Sequence, residues 1–172
     1  MIPISSAVSR GLVWSKTSHK RGYELKCNGE IAASLQHTSC WSSEYLAESK
    51  HGSWRFRRTG AWRTGTEIVD ANSGVRIASL KPNWVGGGTL VFSDGQIFGV
   101  TSKGWWQPVW TVLAETGQPV LSIQAREKTV ELRNELPLSE DRLILLTVFA
   151  WHIMRQAAED AAAAAVMAAV TS

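Results

Sequence analysis

Short runs in which apolar and polar side chains alternate fill the first three quarters of the chain. Tyr23, Leu25 and Cys27 would share one face of a strand, and Val130 and Leu132 one face of another. A period of two is typical of half-buried antiparallel strands. Together with less regular apolar runs, this pattern predicts about twelve strands, over residues 8–15, 23–27, 30–36, 43–49, 53–59, 65–71, 75–81, 88–93, 96–102, 109–115, 119–125 and 129–133.

Turn-forming dipeptides separate these runs at 28–29, 73–74, 94–95 and 116–117. Asn-Gly at 28–29 and Asp-Gly at 94–95 favour a two-residue type I′ turn, which needs positive φ at both positions. The connections leave no room for crossover helices, so the sheet should be antiparallel. A sheet of this size can curl, split into a sandwich or close into a barrel, and closure removes its edges.

Four tryptophans recur at a nearly fixed spacing along the same region. Trp41, Trp62, Trp84 and Trp105 each follow one predicted strand and precede another. A period of this length is typical of a repeated β-hairpin.

The strand pattern ends before residue 139, where a helix is predicted to begin. Ser139 can act as its N-terminal cap, and two acidic residues follow in the first turn. Residues 143–154 are apolar nearly all round, which is typical of a buried helix. The run is too short to cross a bilayer. A span over 143–170 would bury Arg155, Glu159 and Asp160 at its centre, so burial in protein is favoured.

A wide antiparallel barrel has a lumen that strand side chains alone do not fill, and a wholly apolar helix suits it. We therefore predict a mainly β fold, a closed barrel of about twelve strands with this hydrophobic C-terminal helix threaded through the lumen. The domain would comprise residues 1–156, followed by an alanine-rich helical tail over 157–172. The core positions of the helix would be Leu143, Leu146, Phe149 and Ile153.

This organisation resembles the tubby C-terminal-like superfamily, which includes tubby-like proteins, phospholipid scramblases and LURP-one-related proteins. The resemblance covers residues 8–156, and the tryptophan-ended repeats (such as 57–62), the hairpin at 92–96 and the helix over 143–154 carry it. It implies a closed twelve-stranded barrel around a central helix. It also implies membrane association in some branches, through phosphoinositide binding or bilayer localisation. No position here matches a phosphoinositide ligand of the family, and the alanine-rich tail departs from it.

The composition and charge of the chain are those of a globular domain rather than of a disordered segment. The chain has 172 residues, is 44% hydrophobic and 19% charged, and carries a net charge of +3, which indicates a globular domain. Its two cysteines, Cys27 and Cys40, fall at opposite ends of one predicted hairpin, so we expect both to be reduced, as in a cytosolic protein.

No catalytic constellation stands out in the sequence. The four histidines form no HxH or HExxH pair, and we expect His152 to be a hydrogen-bonded histidine of the barrel interior or mouth. The glycines at 86–88 lack the Lys-Ser/Thr and helix of a phosphate-binding loop, which favours a flexible turn. We therefore expect no enzyme activity, no metal site and no cofactor.

Basic residues cluster in the first part of the chain. Residues 1–63 carry ten lysines and arginines against four acidic residues. Arginine suits bidentate contacts with phosphate, so an anionic membrane surface is one candidate ligand. A nucleic acid is disfavoured because no recognition motif is present. The candidate anion-binding residues are Arg55, Arg57, Arg58 and Arg63, with a second basic group at Lys16, His19, Lys20 and Arg21.

The tail offers a second kind of candidate surface. From residue 161 to 170 it carries no charge, and small side chains let another helix approach closely. The candidate partner-binding residues are Ala161, Ala165, Val166 and Met167 in the tail, with Trp105 and Trp106 in a loop.

These observations favour a non-enzymatic binding or scaffold module, a protein-interaction subunit with a protein partner or a second copy of itself. The alternative is a peripheral module that binds anionic phospholipid through its basic patch. We expect a cytoplasmic location, or a peripheral one at the inner face of a membrane.

Overall fold

The computed structural model describes residues 4, 11–17, 22–38, 43–59, 65–83, 87–104, 108–133 and 137–170. Within these ranges the chain forms twelve strands and one helix. The strands are β1 (Leu12–Lys16), β2 (Gly22–Cys27), β3 (Glu30–His37), β4 (Tyr45–Ser49), β5 (Gly52–Thr59), β6 (Gly65–Asp70), β7 (Arg76–Pro82), β8 (Gly87–Phe92), β9 (Ile97–Lys103), β10 (Val109–Ala114), β11 (Pro119–Gln124) and β12 (Thr129–Leu132), and the helix is α1 (Glu140–Val170).

The twelve strands form one closed antiparallel barrel, as predicted. Each strand pairs with its neighbours in sequence, and β1 pairs with β12 to close the ring. The closing seam aligns Leu12 with Val130 and Val13 with Thr129. Closure leaves no strand with an unpaired edge, which is the physical advantage of a barrel over an open sheet.

The tight turns lie where the dipeptides predicted them, although one differs in type. Asn28 and Gly29 have φ of 51° and 86°, so this connection is the predicted type I′ turn. At 94–95 only the glycine has positive φ, 90° for Gly95. Its N–H donates to the carbonyl of Phe92 at 3.0 Å. A glycine in this conformation after a type I turn is the three-residue hairpin loop, so the type I′ prediction was wrong there.

The glycines of the 86–88 segment have a different role from the predicted flexible turn. Gly87 and Gly88 belong to β8 and have φ of 112° and 157°. A Cβ atom would lie 2.1 Å from the carbonyl oxygen of Val100 at the first position and 2.2 Å from that of Lys81 at the second. These glycines therefore let β8 approach its neighbours closely. Gly86 lies outside the described residues.

The helix begins where Ser139 predicted and is long. The Ser139 carbonyl accepts a hydrogen bond from the Leu143 N–H at 3.0 Å. A hydrogen bond from the Ser139 hydroxyl lowers the pKa of the Asp141 carboxyl. From this start α1 continues for 31 residues without interruption, so the alanine-rich segment extends the same helix.

The part of α1 from Leu143 to Met154 lies in the protein core. Every residue from Leu143 to Met154 is buried, and Leu146 and Phe149 have no exposed surface. The one hydroxyl in the interior of this run, on Thr147, donates to the Leu143 carbonyl at 2.8 Å. Local hydrogen bonding thus satisfies the hydroxyl in an apolar surrounding.

Aromatic contacts join the buried turns to separate parts of the barrel. The ring of Trp151 stacks on Trp14 of β1, with centroids 4.9 Å apart and planes 10° apart. The ring of Phe149 meets Phe56 of β5 edge-on at 5.7 Å. Because β1 and β5 are four strands apart in the ring order, these contacts approach the helix from different sides.

The two ends of the barrel differ in what they contribute to the helix. At the end that carries the turns at 28–29, 73–74, 94–95 and 116–117, called here the turn end, Arg142 forms an ion pair with Asp94 and lies 3.7 Å above the Phe92 ring. His51 contacts Glu140 there at 3.1 Å. The opposite end, called here the tail end, carries the last residues of β1, β3 and β5, and Arg58 there forms an ion pair with Asp160 of α1.

The tryptophan repeat corresponds to two strands per period. Trp41, Trp62, Trp84 and Trp105 fall in sequence between β3 and β4, β5 and β6, β7 and β8, and β9 and β10, and all four lie outside the described residues. The second cysteine, Cys40, also lies outside them, whereas Cys27 is a buried free thiol.

Leu146→Asp should prevent folding, because it places an unpaired carboxylate among apolar side chains where Leu146 has no exposed surface. The expected loss exceeds about 4 kcal/mol of unfolding free energy. The measurement is solubility and urea unfolding followed by circular dichroism. Val75→Asp is the matched control, since Val75 is 63% exposed and should change stability by less than about 0.5 kcal/mol. A soluble, cooperatively folding Leu146→Asp protein would contradict the buried helix.

Candidate functional site

The predicted arginine patch does not form a single surface. Arg55 and Arg57 lie on the outer side of β5 with 42% and 44% of their side chains exposed, and both contact Glu44. The Arg57 Nε donates to a Glu44 carboxylate oxygen at 2.7 Å, and the Arg55 Nε lies 3.8 Å from the other oxygen. The carboxylate offsets part of the positive charge of this pair. Arg63 lies outside the described residues.

Arg58 belongs to the opposite face of β5. It shares the alternation of Trp54 and Phe56, which are buried, and its guanidinium forms an ion pair with Asp160 of α1. The role that the structure gives Arg58 is therefore to hold the helix against the tail end.

Of the second basic group, the structure describes Lys16. His19, Lys20 and Arg21 lie outside the described residues. Lys16 ends β1 at the tail end of the barrel. No acidic partner contacts it within the described ranges.

Beyond the barrel, α1 continues as an exposed helix, called here the α1 extension (residues 157–169). All of these residues are exposed, and Val166 and Met167 are 63% and 66% exposed. From Ala161 onward the extension has no charged residue. A helix that is apolar on all sides is ordinarily buried, so this segment is the most anomalous surface among the described residues. Trp105 and Trp106 lie outside them.

Polar contacts fix the base of the extension. Besides the Arg58–Asp160 pair, the Tyr45 hydroxyl donates to a carboxylate oxygen of Glu159 at 3.3 Å. Burial, followed by the charge of Glu159, raises the pKa of Tyr45 to about 12, so the hydroxyl remains a donor at neutral pH. These contacts orient the extension relative to the tail end.

An apolar groove of about 370 Å³ lies on one side of this base. Pro108, Trp110 and Ala125 form its barrel wall, and the helix wall consists of Met154, Ala157 and Ala158 with Arg155 beside them. Residues three and four apart share a face of a helix, so the face of Met154 and Ala158 continues outward through Ala161 and Ala165. The groove and the small-residue face therefore form one continuous apolar surface.

A polar cleft of about 340 Å³ lies at the same end of the barrel. The ends of β1 to β4 form one wall, because Lys16 pairs with Tyr23 and His37 pairs with Tyr45 in neighbouring ladders. Arg155 of α1 forms part of the other wall.

His152 lies buried beneath this end of the barrel, next to the rings of Tyr45 at 4.8 Å and Phe56 at 5.0 Å. Neither ring nitrogen has a hydrogen-bond partner among the described residues, so the expected hydrogen bond is not found within this part of the chain. Burial, and then the nearby charges of Arg58 and His37, lower the pKa of His152 to about 3. The imidazole is therefore neutral at physiological pH.

Two other classes of site have no candidate in the described part of the chain. No three side chains among its histidines, cysteines and acids come close enough together to hold a metal ion. Its one helix lacks the combination of length and hydropathy that a membrane span requires.

Comparison with known proteins gives no relative. No family model, no curated protein and no solved structure matches this chain significantly. The closed barrel of twelve antiparallel strands with one C-terminal helix is therefore known from the structure of this chain alone.

Acid should destabilise the protein through His152. The unfolded chain protonates this imidazole near its ordinary pKa of 6.5, whereas the folded protein does not until about pH 3. The unfolded state therefore binds more protons between these values, and stability is lost as the pH falls. We expect the unfolding free energy to fall by on the order of 1.4 kcal/mol per pH unit in this window, measured by urea unfolding at a series of pH values.

His152→Leu removes the titrating group and should flatten that slope. His51→Gln serves as the control, because His51 contacts Glu140 at the turn end and its loss should leave the contribution of His152 in place. An unchanged slope in His152→Leu would contradict the role assigned to the buried imidazole.

Proposed function

We propose that this protein is a non-enzymatic binding or scaffold module that docks on a protein partner through the α1 extension. The observation that supports this most directly is the run of exposed, uncharged residues from Ala161 to Ala169 on a helix anchored to the barrel. Each buried Å² of apolar surface stabilises an association by roughly 25 cal/mol, so covering this helix is favourable. The polar contacts at its base orient it, which lowers the entropic cost of docking.

The chemistry of the extension indicates which face the partner covers. Glu159 contacts Tyr45 of the barrel and Arg155 of α1, and Asp160 contacts Arg58 of the barrel, so the acidic face is turned toward the barrel. The face of Ala158, Ala161 and Ala165 carries no charge and no large side chain. Such a face lets the backbone of a partner helix approach closely, and the adjoining groove at Trp110 provides further apolar area.

The proposal includes membership in the tubby C-terminal-like superfamily, with α1 threaded through the barrel lumen. The observations that support this membership concern the arrangement of the strands and the helix. The ring has twelve antiparallel strands, the buried turns of α1 contact β1 and β5, and Arg142 and Asp160 make contacts at opposite ends of the barrel.

Anionic phospholipid has less support as the ligand. A basic residue near an anionic surface contributes about 1 kcal/mol, but Arg55 and Arg57 share the carboxylate of Glu44 and Arg58 is paired with Asp160. We therefore rank protein docking above lipid binding.

Lysine substitutions on the two faces of the extension test the docking proposal. Ala161→Lys and Ala165→Lys place a charge on the small-residue face, so the stoichiometric partner captured from the native cells should be lost. Ala163→Lys adds the same side chain on the face of Glu159 and should retain the partner, since lysine four residues after glutamate is favourable in a helix. The measurement is quantitative pull-down, with light scattering of the purified protein to detect a second copy as partner.

The barrel itself should be unaffected in all three variants, because these alanines are exposed. Their thermal unfolding should match that of the unmodified protein. Capture that is the same with Ala161→Lys, Ala165→Lys and Ala163→Lys would contradict docking through this face. Capture by anionic vesicles that high salt abolishes, with no protein partner, would favour the lipid alternative.

A further inference from the structure

The polar cleft at the tail end has the features of a binding site for a small ligand. Its volume is about 340 Å³, within the range of small-molecule sites. It lies across a barrel rim and the base of α1, and the docking face of the extension does not include its polar side chains. The side chains that line it are Lys16, Tyr23, His37, Tyr45, Arg155 and Glu159.

Two cations and one carboxylate set its charge. Lys16 has no acidic partner within the described residues. Arg155 contacts Glu159 at 3.5 Å, a pair four residues apart on α1. The Nε atom of Arg155 is buried and has no hydrogen-bond acceptor within the same ranges. A guanidinium presents five N–H donors in a planar fork, so the donors of Arg155 are incompletely used.

Glu159 occupies the position that an external anion would take. Its carboxylate accepts from the Tyr45 hydroxyl at 3.3 Å and neutralises Arg155. About half of the Glu159 side chain is exposed (51%), so it can leave Arg155 by rotating into solvent. A ligand with a carboxylate or phosphate group would then gain Arg155 and Lys16 together, in charge-assisted hydrogen bonds that arginine makes in bidentate form.

Aromatic rings supply the remaining wall. Tyr45 and His37 meet edge-on with centroids 4.4 Å apart. The guanidinium of Arg155 lies 5.3 Å from the centroid of the Tyr23 ring, on its face. Flat rings beside a cationic group suit a ligand that joins an anionic group to a planar body.

We propose that this cleft binds a small organic anion, a carboxylate or phosphate monoester on a planar apolar body, with its charge held by Arg155 and Lys16. Binding displaces Glu159 from Arg155. The planar body lies against Tyr23 and Tyr45.

Isothermal titration calorimetry on the full chain tests the site with defined probes. Phenyl phosphate and benzoate carry both the anion and the ring, inorganic phosphate carries the anion alone, and phenol carries the ring alone. At least one of the first two should bind about tenfold more tightly than either of the last two, and which one does so distinguishes phosphate from carboxylate. Lys16→Gln should weaken that binding about tenfold, because a charge-assisted hydrogen bond is lost.

The Glu159→Gln variant is the most specific test of the proposed site. Removing the competing carboxylate should tighten binding about threefold or more, whereas most substitutions in a site weaken it. Glu127→Gln is the matched control, because Glu127 lies in an exposed turn and the change in net charge is the same, so the affinity should not change.

Three outcomes would overturn the proposal. The first is the absence of a binding heat for both phenyl phosphate and benzoate. The second is an inorganic phosphate affinity equal to theirs, which would remove the planar body from the recognition. The third is equal tightening in Glu159→Gln and Glu127→Gln, which would indicate a general effect of net charge.

Discussion

The buried turns of α1 and the apolar strand faces that they contact depend on each other. Strand residues such as Leu25, Phe56 and Leu90 have no exposed surface, and neither do Leu146 and Phe149 on the helix. A helix that is apolar all round cannot remain in water, and a wall of twelve strands cannot fill its own interior. Burying these surfaces against each other removes both from solvent, and this burial is the dominant favourable contribution to the fold.

Because residues 143–154 of α1 are buried in the core, they are not accessible to a ligand or a partner. The middle of α1 is buried, so at the tail end the helix side chains available for recognition are those beyond Met154, where Arg155, Glu159 and Asp160 lie. The proposed protein-docking face and the proposed anion cleft both lie there. Because Glu159 belongs to the cleft and also to the base of the extension, an anion in the cleft would alter one of the contacts that orient the docking face.

Features that depend on nearby residues could be predicted from the sequence, and features that depend on distant ones could not. Strand alternation and the turn at Asn28 are local, and they gave the twelve strands and the hairpins. The alternation of Trp54 and Phe56 also contained the signal that Arg58 faces inward, away from Arg55 and Arg57. Its partner, Asp160, lies 102 residues away, and no local pattern could have indicated that pairing. The isolation of His152 likewise depends on what several strands place around it.

The position of α1 after all twelve strands has a consequence for biosynthesis. The ribosome releases β1 first, and the seam between Leu12 and Val130 cannot form until β12 has been made. The helix that supplies the buried run from Leu143 to Met154 emerges later still. During translation the apolar strand faces therefore exist before the helix that packs against them, and such exposed surfaces aggregate readily. A nascent chain of this design is therefore prone to aggregation until α1 has been made.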